Sequence, residues 1–398
     1  MNYKALIIPG DGVGKEVVTQ ATRILELAAK LVGYSMEFDT VEAGGEYFYK
    51  HGVEYPAGTI EKAKASDIII KGPVGGTIDP KTKQELRRPD GFLAGYGLVI
   101  GLRKELELFA IVRPGLAYEG IPFMVFDKEI MDYRKFDGIY TPKNLDLIIV
   151  REGTEGEYQE GYEVYPPGEK DLRKVEKIVS PIVITRKATE RVCKFAFDLA
   201  RRPKRRKKVT CVDKSNAVKA YEFFREVFRE VSEKYPDVET DYEYADNFAD
   251  LVLRNPSRYD VAVTPNMIGD IISDEVAALQ GGRGMAPSVC IGYNHIMVEA
   301  IHGTGLDIAG KDIANPFAMG LSAKMGLESL GDMKNDERLK KAAKLIEDSI
   351  KQVLINGEYR TIDIGGKSKR TLRGLEVDET ARCSAVGDAI LSMMKELY

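Results

Sequence analysis

In the stretch "NMIGDIISDEVAAL", residues 266–279, Asp270 and Asp274 stand four positions apart. Ile268, Ile271, Ile272, Val276 and Ala277 give the stretch an amphipathic helical pattern, so both carboxylates fall on one helix face. Like charges at that spacing repel by roughly a few tenths of a kcal/mol when exposed, and by more when desolvated. A third acid, Asp246 in "YEYADNFAD", sits at a predicted strand-to-helix junction. Three oxygen ligands without His or Cys suit a hard divalent cation, Mg²⁺ or Mn²⁺. Favourable placement near a helix dipole also accounts for Asp270, but not for Asp274 a full turn further in.

Cations stand at comparable places. Arg103 and Arg113 bracket "KELELFAIV", and Arg151 closes the apolar strand "LDLIIV". The planar guanidinium fork suits bidentate carboxylate binding. Each arginine alone is more often a surface or ion-pair residue; three at element ends, beside a metal candidate, point to a polycarboxylate substrate. Lys214 follows the apolar strand "KVTCVD", where burial would lower a lysine pKa. Tyr158, seven residues past Arg151, is a candidate proton donor.

The elements that must position these groups alternate strand and helix. "KALII", "DIIIKG", "LFAIV", "LDLIIV", "KVTCVD" and "YDVAVTP" read as strands, and residues 185–200, 217–234 and 336–354 as helices. This alternation predicts an α/β protein with a substantially parallel sheet. The Gly10, Gly12, Gly14 turn has GxGxG spacing rather than the GxGxxG of a dinucleotide fingerprint, so the glycines serve a tight strand-to-helix turn. "RRPKRRKK", residues 201–208, lacks interleaved aromatics and reads as a solvated loop at a helix end rather than a nucleic-acid patch.

A chain of 398 residues exceeds most single cores and predicts two domains. With 58 basic against 62 acidic residues, the net charge of -4 gives no case for nucleic acid or an acidic membrane as partner. Four scattered cysteines without zinc spacing fit a reduced compartment, and no apolar run approaches membrane-spanning length. The expectation is a soluble cytoplasmic protein.

Seven segments then occur in order: "IIPGDGVGKEV", "LRKELELFAIVRP", "VREGTEGEY", "VDKSN", "NPSRYDVAVTPNMIGDIISDEVAAL", "GGRGMAPS" and "EAIHGTGLDIAGKDIANP". Together they resemble the isocitrate/isopropylmalate dehydrogenase family of β-decarboxylating hydroxyacid dehydrogenases, over nearly the whole chain. The resemblance implies a two-domain, non-Rossmann fold with a mixed, largely parallel sheet. Residues 1–108 and 281–398 would form a discontinuous cofactor-binding domain, and residues 109–280 an inserted dimerisation and catalytic domain. It implies substrate contacts from Arg103, Arg113, Arg151 and Val99, metal ligation by Asp246, Asp270 and Asp274, and a catalytic pair of Lys214 and Tyr158. Lys214 would take the C2 hydroxyl proton through water, and Tyr158 would protonate C3 after CO₂ leaves. Lys214 and Asp246 would reach the neighbouring subunit's site, so a homodimer with shared sites is implied. NAD would contact His302, Gly303, Thr304, Asp307, Ile308, Asn315, Asn216 and Glu299, with Asp307 accepting from the ribose hydroxyls and repelling a 2′-phosphate.

The substrate's third group divides the relatives. Isocitrate enzymes of the family place Ser and Asn six and four residues before the first arginine; here stand Gly97 and Val99. Leu98, Val99 and Ile100 resemble the apolar pocket for an isopropyl group, whereas "REGTEGEY", "GGRGMAPS" and "EAIHGT" look more like NAD-linked isocitrate enzymes. The balance leaves isocitrate as the expected substrate, ahead of 3-isopropylmalate and homoisocitrate. A non-catalytic regulatory subunit of the same fold would have lost some of the lysine, tyrosine and aspartates; all are present.

Overall fold

The computed structural model describes residues 2–127, 132–140, 144–158, 161–371 and 374–398. The chain forms two compact units: Met1–Leu108, Val112–Asp146 and Val276–Tyr398 make the first, Phe109–Ile111 and Leu147–Glu275 the second.

In the first unit the strands run in the order Pro287–Ile291, Ile296–Ala300, Ile68–Lys71, Asn2–Ile8, Ser35–Thr40. All neighbours pair in parallel except Pro287–Ile291 with Ile296–Ala300. Numbered by appearance within the unit this is 4-5-3-1-2, unlike the 3-2-1-4-5-6 order of a Rossmann sheet. The strand Ile68–Lys71 is buried at all four positions, as expected of a parallel strand covered on both faces. Helix Gly14–Val32 buries Val17, Val18, Ala21, Ile24, Leu25 and Ala28, the three-and-four spacing of a single packed face.

The turn that joins the first strand to this helix depends on its glycines. Gly10 and Gly12 have φ of 72° and 56°, and a Cβ at Gly12 would lie closer than 3.0 Å to the Thr304 carbonyl oxygen. The turn is therefore pressed against the 302–312 loop, with Val13 N–H donating to Thr304 C=O at 2.9 Å. Between the two glycines, buried Asp11 accepts backbone N–H bonds from Gly45, Glu46 and Gly75 at 2.7–2.8 Å. One carboxylate thus fixes three loops.

In the second unit Glu239–Tyr244, Lys208–Asp213, Val261–Thr264 and Asp146–Glu152 run in that order, all parallel. Helices Arg186–Ala200 and Lys219–Ser232 share an aromatic core in which Phe197 and Phe228 stack with centroids 5.3 Å apart. The basic 201–208 segment is held more firmly than a solvated loop. Arg205 forms an ion pair with fully buried Asp260, and Arg206 binds the carbonyls of Ser257 and Tyr259. Taken by their strands and helices, these units make an α/β fold with a mixed, largely parallel sheet, in agreement with the sequence. No helix among the described residues is long and apolar enough to cross a membrane.

Two acids in the second unit carry an electrostatic cost. Burial raises the pKa of Glu152, and it pushes Glu155 up to about 7, aided by the Glu152 charge and opposed by hydrogen bonds from Thr185. A carboxyl whose folded pKa lies above its unfolded value favours the fold fully below that unfolded value, and the benefit is lost as pH rises through about 7. Glu155→Gln keeps an acceptor for Thr185 without a titrating charge. The variant should match wild type in urea unfolding near pH 4.5 and exceed it at pH 8, by on the order of 1 kcal/mol after allowance for partial exposure. A stability difference that does not change between these pH values would refute the assignment.

Candidate active site

In the first unit, Arg103 on helix Tyr96–Glu105 is 6% exposed and donates to Glu299 at 2.8 Å. Lys71, the last residue of its buried strand, forms an ion pair with the other oxygen of Glu299 at 2.8 Å. Burial alone would raise the Glu299 pKa; Lys71, Arg103 and Arg113 together hold it well below the usual carboxylate range. Glu299, expected beside the cofactor, is thus the counter-ion that fixes the Arg103 guanidinium. Lys71 was not among the sequence candidates, although a charged residue ending an apolar strand was the available signal.

On the same helix, Tyr96, Val99 and Arg103 share a face by their spacing. Tyr96 stacks on Phe92, rings nearly parallel at 5.1 Å, so the face toward Arg103 is aromatic and aliphatic. Leu98 is fully buried and Ile100 nearly so. The first turn of the helix holds a further carboxylate. Glu54 Oε1 accepts from Gly95 N–H at 2.7 Å and Gly97 N–H at 3.3 Å, and its Oε2 lies 3.7 Å from Arg88. A Cβ at Gly97 would fall closer than 3.0 Å to the ends of both side chains, so any larger residue there would displace them.

In the second unit, Arg151, Tyr158 and Asp270 come together. Arg151 is 2% exposed; its Nε donates to Asn266 at 2.8 Å and its Nη1 to Asp270. The Tyr158 hydroxyl donates to the other Asp270 oxygen at 2.8 Å, and Arg151 lies over its ring at 5.5 Å. Burial first, then the Asp270 charge, pushes the Tyr158 pKa up to about 12, which keeps its proton in place at neutral pH. Asn266, another residue the sequence reading missed, ties Arg151 to the Glu155 carbonyl at 2.5 Å. A Cβ at Gly269 would strike Arg151 and Thr264, so the helix can approach the strand only with glycine there.

Lys214 and Asp246 pair with each other at 2.6 Å, Asp246 being mostly exposed and its pKa lowered by that hydrogen bond. Among the described residues, Asp246, Asp270 and Asp274 do not gather into one cluster of ligand atoms; the acidic cluster that does is Glu16, Asp312 and Cys383. Asp270 and Asp274, one turn apart on the helix, offer the all-oxygen donors a hard divalent cation takes. The fit within one chain is therefore two aspartates, with Asp246 held by Lys214.

The 302–315 segment holds most of the residues expected at the cofactor. His302 is half-buried and desolvation lowers its pKa; its Nδ1 lies 3.0 Å from the Gly303 carbonyl, while its Nε2 atom is covered and has no partner among the described residues. Donation from Nδ1 leaves Nε2 as an acceptor. Asp307 is exposed, and its carboxylate carries no hydrogen bond or ion pair among the described residues. Gly303 is exposed with open space around it, Thr304 is bound to the Gly12 turn through its carbonyl, and Ile308 is half-buried. Asn315 is buried and bonds Asp363 and Phe317 N–H through its amide, and Asn216 is exposed in the turn after Lys214.

A family model for isocitrate/isopropylmalate dehydrogenase matches residues 4–390. The 3-isopropylmalate dehydrogenase of Chromobacterium violaceum is 35% identical over 397 residues, covering 98% of this chain and 100% of the relative. The homoisocitrate dehydrogenase of Methanocaldococcus jannaschii is 37% identical over 377 residues, covering 94% of this chain and 96% of the relative. A crystal structure of isocitrate dehydrogenase from Methylococcus capsulatus superposes with a TM-score of 0.77 at 33% identity, over 99% of both chains. The expectation of isocitrate as substrate is corrected by the curated relatives: those at 34–36% identity are named 3-isopropylmalate dehydrogenase, with homoisocitrate dehydrogenase beside them. The physical reason lies at Gly97 and Val99, where Glu54 occupies the helix end and the adjoining face is apolar. The chain is an enzyme of the isocitrate/isopropylmalate dehydrogenase family.

Proposed function

We propose that the protein oxidatively decarboxylates 3-isopropylmalate, using NAD and Mg²⁺ or Mn²⁺. The observation that carries the reading is the aromatic and aliphatic face that Tyr96, stacked on Phe92, and Val99 form on the side of the helix that presents Arg103. A substrate carboxylate desolvated against Val99 would be costly, whereas an isopropyl group gains from burial there. Homoisocitrate is the second reading, favoured by the M. jannaschii relative alone.

Arg103, Arg113 and Arg151 hold the malate carboxylates, with Glu299 and Asn266 orienting two of the three guanidinium groups. When bound, the divalent ion supplies Lewis-acid polarisation at the C2 oxygen and NAD the hydride acceptor. Lys214 accepts the C2 hydroxyl proton, through water, and Tyr158, whose proton is retained at neutral pH, delivers one to C3 after CO₂ departs. Asp270 and Asp274 hold the ion from one chain and Asp246 of a second copy completes the set, so the active unit is a homodimer. Breaking the Lys214–Asp246 pair would free both side chains for that shared site.

Steady-state assay with NAD and Mg²⁺ should give kcat/KM for 3-isopropylmalate at least about tenfold above isocitrate and homoisocitrate, a difference of about 1.4 kcal/mol. Preference for either tricarboxylate would overturn the substrate reading. The Asp307 carboxylate should make NAD preferred over NADP by about tenfold or more, and Asp307→Lys with Ile308→Tyr should reverse the order. Equal use of both cofactors by the wild type would refute the role given to Asp307. Mixing inactive Lys214→Met and Arg103→Met chains should restore activity as subunits exchange, because a heterodimer carries one intact site. No recovery after exchange verified by mass would exclude sites shared between subunits.

A further inference from the structure

We propose that Glu54 is a specificity-determining residue: a built-in anion at the N-terminal end of helix Tyr96–Glu105 that rejects substrates carrying a third carboxylate. The inference rests on the reading above, in which Val99 and Arg103 of this helix face the substrate. A helix N-terminus ordinarily attracts anions through its unpaired N–H groups and its dipole. Here that attraction is spent inside the protein. Gly95, the residue before the helix, has φ of 100° and no side chain to cap it, and its N–H and that of Gly97 both point at Glu54 Oε1. Glu54 is 9% exposed, so its charge is poorly screened by water. The backbone of the same segment is anchored too, as Gly44 N–H donates to the Glu54 carbonyl at 2.8 Å.

Arg88 sets how strong the rejection is. Its guanidinium lies 3.7 Å from Glu54 and 2.5 Å from Asp90, so it is divided between two carboxylates and offsets Glu54 only in part. Gly97 keeps the arrangement closed, since any side chain there would displace both Glu54 and Arg88. Arg103 lies six residues further along the helix, roughly 9 Å of rise, with its side chain slanted back toward the N-terminus. A substituent on the substrate held by Arg103 and Val99 therefore lies within about 10 Å of the Glu54 charge, near enough in a partly desolvated site for about tenfold discrimination. An uncharged isopropyl group does not meet this penalty.

The test compares kcat/KM for 3-isopropylmalate, isocitrate and homoisocitrate in wild type, Glu54→Gln and Arg88→Gln. Gln at position 54 keeps an oxygen for Gly95 and Gly97 but removes the charge. The ratio of tricarboxylate to 3-isopropylmalate activity should rise about tenfold in Glu54→Gln. In Arg88→Gln, where the carboxylate loses its compensating cation, the ratio should fall. A merely structural role would lower all three activities together and leave the ratio fixed, which would overturn the proposal, as would a change in the same direction in both variants. If Glu54→Gln does not fold, Arg88→Gln alone decides: an unchanged or raised ratio refutes the filter. Wild type without 3-isopropylmalate turnover would instead remove the reading beneath it and the inference with it, whereas normal turnover with an unchanged Glu54→Gln ratio removes the filter alone.

Discussion

A carboxylate taken out of water must be matched by cations close at hand, and Glu299 is where this constraint acts most strongly. Its two oxygens are shared between Lys71 from one strand and Arg103 from a helix, each at 2.8 Å. Losing either partner would leave one oxygen of a buried carboxylate without its cation. The consequence for function is orientation. A guanidinium held on one edge by a buried acid cannot rotate away, so the remaining donors of Arg103 keep a fixed direction for a substrate carboxylate. The same logic recurs in the second unit, where Asn266 and Asp270 hold Arg151. In both units an arginine proposed to hold substrate is already engaged within the chain, so pre-organisation would replace an entropy cost that binding otherwise meets.

The repulsion between Asp270 and Asp274 has its first answer within the chain. Arg151 and the Tyr158 hydroxyl both bond Asp270, so one of the two like charges is compensated before any cation arrives. That compensation also links two roles. The proton of Tyr158 is held by burial and by the charge of Asp270, so whatever engages Asp270 alters the acidity of the proposed donor. A cation taking Asp270 would weaken the acceptor that holds the Tyr158 hydroxyl.

The parts of this arrangement that the sequence made legible are those set by short spacing. Asp270 and Asp274 share a helix face because they are four apart, and the Gly10–Gly12 turn announces itself within five residues. The alternation of apolar strands and amphipathic helices likewise carried the fold class. Partnerships across long separations were not legible. Lys71 meets Glu299 from 228 positions away, and Asn266 meets Arg151 from 115. Nothing local names the partner of such a residue; Lys71 showed only as a charge ending an apolar strand, and Asn266 as an ordinary residue at a helix start. Asp260 shows the same limit: it turns a basic stretch that reads as a loose loop into an anchored one.

Glu54 brings the two kinds of information together. Gly97 and Val99 were visible as departures from the isocitrate pattern, yet a departure says only what is missing. The segment contributing Glu54 lies about forty residues earlier and supplies what is present instead, a carboxylate bonded to the Gly95 and Gly97 N–H groups. Overall resemblance weighs every matched segment alike, and so drew the substrate expectation toward isocitrate. Selectivity, however, is a difference in free energy between two substrates that share most of their contacts, and only the few groups near the differing substituent enter that difference. Segments such as "REGTEGEY" are proposed to meet what all the candidate malates have in common, so their resemblance to any one relative carries little weight on the third group. On the proposed reading the helix end at Gly97, with an apolar face on one side and a buried anion on the other, carries most of it.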